Sequence, residues 1–227
     1  MRVGMVCPYS LSVPGGVQAQ VLGLARELRR RGHEVRVLGP CDGPPPEAFV
    51  TPLGDSLPTS ANGSIAPLAP DPSAVLRTMR ALRDEQFDVV HVHEPLAPGP
   101  SITTTTLHFA PTVGTFHAAG RSSMYRLAGG VLGRLLDRLD HKVVVSKDAL
   151  ELIERYLVRD GSAGDSFEVL YNGVDTAHIR ATAPRRHARP AILFLGRHEE
   201  RKGLRVLLEA LARLDPATVG DVTCWVA

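Results

Sequence analysis

A chain of 227 residues, 44% hydrophobic and 22% charged, has the composition of a protein that buries a core, which excludes a disordered or fibrous chain. Its formal charge of +2 is too small to imply a nucleic-acid partner on electrostatic grounds, so any basic patch has to be read locally. Cys7, Cys41 and Cys224 are far apart and form no CxxC pair; neither a disulfide framework nor a zinc knuckle is expected, and a reducing cytoplasm suits them. The apolar opening from Met1 to Cys7 is too short for a signal peptide, and no run of about 18 apolar residues follows, so membrane contact is expected to be peripheral.

From the first residue onward, short apolar runs alternate with helical patterns, which predicts βαβ units around a parallel sheet. The expected strands are Val3 to Cys7, Glu34 to Leu38, Val89 to His93, Thr112 to Phe116, Lys142 to Val145 and Glu168 to Leu170. Most are β-branched and apolar on both faces, as parallel strands covered by helices should be. Between the first two, Val17, Val21, Leu24, Ala25 and Leu28 recur at helical spacing and Gly32 stands where a C-cap glycine belongs. Further helices are predicted at Pro72 to Glu85, Tyr125 to Asp137 and Lys147 to Arg159.

After Asp175 the chain turns polar and basic without apolar periodicity, which reads as a linker over 176–190. It separates a first domain, 1–175, from a second stretch, 191–227, that restarts the pattern: strand Ala191 to Leu195, loop Gly196 to Gly203, helix Leu204 to Leu214, strand Val222 to Val226. Two strands and one helix do not bury a core of their own, so the second domain is expected to be the truncated start of a larger one.

Four motifs carry chemistry. Pro14-Gly15-Gly16 follows the first strand and opens a helix; ligands of open α/β sheets bind at the carboxyl ends of strands, and such a start suits a diphosphate, although Gly-Gly here is also ordinary turn chemistry. His91 and His93 share a strand face, but no third ligand stands at metal-binding spacing, and a hydrogen-bonded strand end is favoured. His117 closes the strand Thr112 to Phe116; a lone histidine there is more often structural, unless this sheet edge is an active site, as the Gly15-Gly16 loop at the same edge implies. Gly196-Arg197 with Arg201-Lys202-Gly203 sets cations beside a helix start, fit to hold a leaving diphosphate without metal or to sit as solvated charge.

These motifs, with Met1 to Ser10, Val13 to Gln18, Arg31 to Val35, Phe87 to Pro95, Asn172 to Asp175 and Phe194 to Arg197, resemble the family-4 glycosyltransferases of the GT-B fold, and among them the actinobacterial phosphatidylinositol α-mannosyltransferases. The resemblance implies a Rossmann-like GT-B N-terminal domain followed by the start of a second Rossmann-like domain. It implies retaining transfer of mannose from GDP-mannose to phosphatidylinositol or a related lipid or polyol phosphate, with no tightly bound cofactor and no metal. Because the family's paired-glutamate segment and most of its nucleotide pocket fall past Ala227, the chain is expected to be catalytically incomplete by itself and to bind donor weakly or not at all. It makes His117 catalytic, assigns the donor phosphates to Gly16, Arg197 and Lys202, and assigns the acceptor to Tyr9, Gln18, Asn62 and Ser64. In such an enzyme the first domain's residues Gly16 and His117 would face Arg197 and Lys202 across a cleft.

Around Asn62-Gly63-Ser64 this chain carries Ala61 and Pro67 where those transferases tend to have an aromatic and a basic residue, which points to a different acceptor contact. Arg77, Arg80 and Arg83, three apart on the predicted helix, are candidates for contact with anionic lipid at the inner face of the plasma membrane, against the plainer reading of a solvated face. The alternatives are an acceptor- or lipid-binding fragment that transfers nothing, a family-4 transferase with another donor and acceptor, and a sugar-nucleotide epimerase on the same fold.

Overall fold

The computed structural model describes residues 1–61, 64–158, 166–176, 179, 189–196, 198–215, 217 and 220–227. They form two compact units, Met1–Asp175 and Thr176–Ala227. The first runs β1 (Arg2–Val6), α1 (Gly16–Arg30), β2 (Glu34–Gly39), β3 (Val50–Pro52), β4 (Leu57–Ala61), β5 (Ser64–Leu68), α2 (Pro72–Glu85), β6 (Val89–His93), α3 (Pro100–Leu107), β7 (Thr112–Phe116), α4 (Ser123–Leu132), β8 (His141–Val144), α5 (Lys147–Tyr156) and β9 (Glu168–Val169).

Seven of these strands make one parallel sheet in the order β3-β2-β1-β6-β7-β8-β9, while β4 and β5 pair as an antiparallel hairpin. Alternation along each strand sends side chains to both faces. Val3, Met5, Val35 and Val37 pack with Val21, Leu22 and Ala25 of α1. Val6, Leu38, Val90 and Val92 pack with Leu82 of α2 and Phe87 on the other face. A third cluster joins Phe116, Val144 and Phe167 to Leu132 and to Ala149, Leu152, Ile153 and Leu157. Burying each large apolar side chain in these layers contributes about 1.5–3 kcal/mol.

Helices α2, α4 and α5 are started by capping side chains. Asp71 accepts from the Ser73 and Ala74 amides at 3.0 Å ahead of Pro72, Ser122 accepts from Tyr125 N–H at 3.2 Å, and Ser146 accepts from Ala149 N–H at 3.1 Å. Helix α1 begins at Gly15 with no capping side chain and is followed by Gly32 at φ 88, the left-handed turn expected of that glycine.

All six strands expected in this unit are present within a residue or so at each end. The helix expected over Tyr125 to Asp137 is instead α4, ending at Leu132, and a 3-10 turn over Gly133–Arg138. Here Gly129 and Gly133 let the backbone come against the carbonyls of Tyr156 and Leu157 at the end of α5; a Cβ at either position would collide with them. Strand β3, the β4–β5 hairpin and helix α3 were not expected from the sequence.

In the second unit, β10 (Ala191–Phe194) and β11 (Thr223–Val226) pair in parallel; α6 (Leu204–Leu211), between them in the chain, ends three residues before the expected Leu214. No described residue of α6 is buried. Most of the expected linker, 176–190, lies outside the described residues. Among the described residues no helix is long and apolar enough to cross a membrane.

Candidate functional site

The strand order reverses at β1, which pairs with β2 on one side and β6 on the other. In doubly wound sheets the ligand crevice opens at the carboxyl ends of the strands beside that switch point. The loops after β1, β6 and β7 leave the sheet at this edge; the first leads into Gly16 at the start of α1, the second begins at Glu94 after His93 ends β6, and the third begins at His117.

The loop after β1 is tied down by backbone bonds. Tyr9 bridges to Leu68 on β5, Ser10 N–H donates to the Pro67 carbonyl at 2.9 Å, and the Ser10 carbonyl accepts from the buried Gln18 amide at 3.3 Å. The loop then enters α1 through Gly15 and Gly16. A side chain at Gly15 would strike the Gln18 amide, whereas nothing lies within 4 Å of where a Cβ on Gly16 would sit.

At the ends of β6 and β7 the register sets His93 beside Thr115, so that His91, His93 and His117 share one sheet face. His91 Nε2 lies 2.7 Å from Thr115 Oγ1, and His93 Nδ1 lies 2.9 Å from His117 Nε2. The rings stack in series, with centroids 4.3 Å apart from His91 to His93 and 5.2 Å from His93 to His117. Glu94 follows at φ 48, a left-handed turn that a glutamate adopts only when its surroundings fix it. Its buried carboxylate accepts from the amides of His117 at 2.7 Å and Ala118 at 2.6 Å, while its own N–H donates to the Thr115 carbonyl at 2.8 Å. Helix α3 braces this strand end: Ser101 Oγ donates to the His93 carbonyl at 2.9 Å and Thr105 Oγ1 to the Pro95 carbonyl at 3.0 Å.

Residues 14–178 match the family model Glycosyltransferase Family 4. The chain belongs to glycosyltransferase family 4. It is 40% identical over 219 residues to a phosphatidyl-myo-inositol mannosyltransferase of Mycobacterium leprae, covering 93% of this chain and 56% of that protein. It is 38% identical over 226 residues to one of Propionibacterium freudenreichii, covering 93% and 58%. The chain thus spans little more than half the length of these curated relatives. Among solved structures it is similar to a sucrose-phosphate synthase of Thermosynechococcus elongatus, with TM-score 0.66 and 15% identity over 99% of this chain and 61% of that one. It is similar as well to a glycosyltransferase of Rickettsia africae, with TM-score 0.62 and 19% identity over 99% and 59%. At such identities these two likenesses show the fold, which is GT-B.

In this family-4 chain the edge histidines are held neutral. Burial lowers His91 to about 4, helped by the nearby His117, and burial alone lowers His117 to about 4. Burial, then His91 and His117, push His93 well below the ordinary imidazole value. Glu94 moves the other way: burial raises it to about 7 even against the two amides that favour its anion. Burial, followed by the charge of Glu94, raises Tyr9 and Tyr125 above the usual phenol value. At neutral pH the edge therefore offers uncharged imidazoles that give or take single hydrogen bonds.

The sequence-predicted residues are distributed unevenly. Gly16, Tyr9, Gln18 and His117 all belong to this sheet edge in the first unit, but Gln18 is buried and spends its amide N–H on the Ser10 carbonyl. Ser64 pairs its backbone with Ala61 at the hairpin end; its side chain, and Asn62, lie outside the described residues. Pro67 serves through its carbonyl, the anchor of the β1 loop. Arg77 donates to the Leu53 carbonyl and to Ser73 Oγ, both at 3.1 Å, and Arg80 and Arg83 pair with Asp84 at 3.4 and 3.0 Å, so part of the charge of this face is met locally. In the second unit Lys202 is exposed at the end of a 3-10 turn, one residue before Gly203 at φ 78, and Arg197 lies outside the described residues.

The sequence reading missed the His93–His117 contact and the clamp made by Glu94. The available signal was the shared i, i+2 pattern of His91-x-His93 and Thr115-x-His117 on strands that are consecutive in the sheet. Among the described residues no group of three or more His, Cys, Asp or Glu side chains is arranged to hold a metal ion. A hollow of about 270 Å³ at the opposite sheet edge, lined by Leu82, Arg83, Gln86, Phe87, Val90, Phe109 and Ala110, gathers none of this chemistry.

Proposed function

We propose that this chain serves a retaining transfer of mannose from GDP-mannose to phosphatidylinositol, or to a related lipid or polyol phosphate, at the inner face of the plasma membrane. The observation that carries the reading is His117, a neutral, half-buried imidazole whose backbone Glu94 clamps at the same sheet edge as the open Gly16 helix start. The names of the curated relatives supply the sugar and the acceptor class. No tightly bound cofactor takes part in this reading; the nucleotide sugar is a substrate.

In the proposed reaction the bond from the sugar carbon to the diphosphate oxygen breaks, and a bond from the acceptor hydroxyl oxygen forms on the same face. The hydroxyl proton passes to a leaving phosphate oxygen. His117 would position the sugar, the first-turn N–H groups of α1 at Gly16 would meet phosphate, and Arg197 and Lys202 would stabilise the charge that grows on the diphosphate. Tyr9, Asn62 and Ser64 would contact the acceptor; Gln18 would act by holding the loop that carries Tyr9. Arg77, Arg80 and Arg83 would draw α2 to anionic lipid, at about 1 kcal/mol per cation near the surface.

The test is transfer of labelled mannose from GDP-mannose to phosphatidylinositol in mixed micelles. Product is expected from a protein that carries these residues within the full length of the curated relatives, and there His117→Ala and Lys202→Ala are each expected to lower the rate by about 10²–10³-fold, the usual cost of losing one positioned group. Transfer from UDP-glucose but not GDP-mannose would replace the donor assignment. Binding of glycerophosphoinositol with no transfer from any nucleotide sugar would replace the enzymatic reading with an acceptor-binding one.

A further inference from the structure

Two neutral imidazoles joined by one N···N hydrogen bond share a single proton along it, and its position decides what the outer nitrogens can do. His93 Nδ1 and His117 Nε2 are 2.9 Å apart. In one arrangement His117 Nε2–H donates to His93 Nδ1, and His93 must then carry its single N–H proton on Nε2. In the other, His93 Nδ1–H donates to His117 Nε2, His93 Nε2 is a bare lone pair, and His117 carries its own proton on Nδ1.

The surroundings of His93 separate the two. Its side chain is buried, with the residue 2% exposed, and its Nε2 has no hydrogen-bond partner among the described residues. The neighbouring ring, His91, stacks against it at an interplanar angle of 29° and so offers its face, not an acceptor in the imidazole plane, while His91 Nε2 is already engaged with Thr115. A buried N–H with no acceptor is rarer in folded proteins than an acceptor left short of donors. The first arrangement requires that orphan N–H, and the second does not.

We propose that His93 is a positioning residue that locks His117 in the Nδ1–H tautomer, so that His117 meets its ligand as a hydrogen-bond donor and not as a base. Nδ1 is the ring nitrogen of the half-buried His117 that the contact with His93 does not engage. Its ligand is therefore an oxygen that accepts, a sugar hydroxyl or a phosphate oxygen. The proton of an attacking hydroxyl must go elsewhere, since Nδ1 has no lone pair to receive it. The tautomer stands independently of the transfer reaction; only the identity of the accepting oxygen rests on that reading.

The test is NMR of the uniformly ¹⁵N-labelled 227-residue protein at neutral pH, using two- and three-bond ¹H–¹⁵N correlations of the imidazoles, with His117 assigned by the signals lost in His117→Gln. The expected result is a pyrrole-type Nδ1 and a pyridine-type Nε2 on His117, and a ¹⁵N–¹⁵N coupling across the hydrogen bond with the proton on His93 Nδ1. A pyrrole-type Nε2 on His117, or a cationic pattern, would overturn the proposal. In His93→Phe, which keeps an aromatic ring and removes the donor, His117 should revert to the Nε2–H form that free imidazole side chains prefer. Retention of Nδ1–H in that variant would refute the role of His93, and if it does not fold, the wild-type coupling decides the question. A failed mannose-transfer assay would leave these spectra unchanged, so the two readings fail separately.

Discussion

The two units open with the same grammar, an apolar strand, a glycine-bearing loop and a helix with apolar residues at helical spacing, yet they bury it differently. In β1, Met5 and Val6 are fully buried, and α1 buries Val21, Leu22 and Ala25. In β10, Leu193 is 66% exposed, and no described residue of α6 is buried. Local sequence therefore specifies the element, and neighbours specify its energetic weight: β1 has a strand on each side and helices on both faces, whereas β10 pairs only with β11 among the described residues.

The sharpest way to break this contrast is to cut the first unit's core beside the site. Phe116 is 1% exposed and joins Val144, Leu152 and Ile153 with Phe167 tilted against it at 5.9 Å. Phe116→Ala is expected to lose about 3–5 kcal/mol in urea denaturation, from transfer and cavity terms together. A loss below about 1 kcal/mol would mean that this layer collapses freely and is no more specific than the second unit.

The site edge should also make the first unit's stability depend on pH, with two opposed contributions. His91 and His117, lowered to about 4 from 6.5, contribute stability that is present above pH 6.5 and is lost as pH falls through about 4; His93 acts in the same direction. Glu94, raised from 4.5 to about 7, contributes stability that is present below pH 4.5 and is lost as pH rises through 7. Three histidines outweigh one glutamate, so net stability should fall between pH 6.5 and 4, by an amount on the order of a few kcal/mol given about 1.4 kcal/mol per pKa unit. Glu94→Gln removes the opposing slope and should steepen that fall. A flat profile for both proteins in thermal unfolding would contradict the burial of these groups.

Much of this architecture was legible because its strands carry their pattern locally. Val89-Val90-His91-Val92 and Thr112-Val113-Gly114-Thr115-Phe116 read as parallel strands from composition alone. Helix α3 did not, since Thr103, Thr104, Thr105 and Thr106 are β-branched and suggest a strand. Each hydroxyl instead donates to the carbonyl four residues back, which satisfies it inside a helix that is buried over most of its length. The hairpin was hidden by Pro58 and Pro67, residues that argue against strands. The site was half legible for a similar reason: His117 marks a strand end by itself, but its contact with His93 exists only through the register of β6 and β7, and the clamp of Glu94 only through its left-handed turn.

A smaller effect tests close approach within the first unit. Alanine favours a helix over glycine by about 1 kcal/mol, so Gly129→Ala in α4 would ordinarily stabilise. Here the new methyl meets the Tyr156 carbonyl, a backbone atom that moves only with the end of α5. The expected net outcome is a loss of about 1–3 kcal/mol, and a rise in the unfolding midpoint would show that α4 and α5 can separate at no cost.

The smallest expected effect lies in β10. Leu193→Ala removes a side chain that pairs with Trp225 across β11 only in backbone register and is already mostly in water, so it forfeits little transfer energy and leaves no cavity. Alanine is a poorer strand former than leucine by a fraction of a kcal/mol, and the sum should stay within about 0.5 kcal/mol, the range of surface substitutions. The same truncation at Met5, 0% exposed and likewise the penultimate residue of its strand, should cost several times more, about 2–5 kcal/mol. If Leu193→Ala instead costs more than about 1 kcal/mol and the cost grows with protein concentration, the exposed face of β10 is covered in solution by a second copy of the chain, and the contrast between the units belongs to the isolated molecule alone.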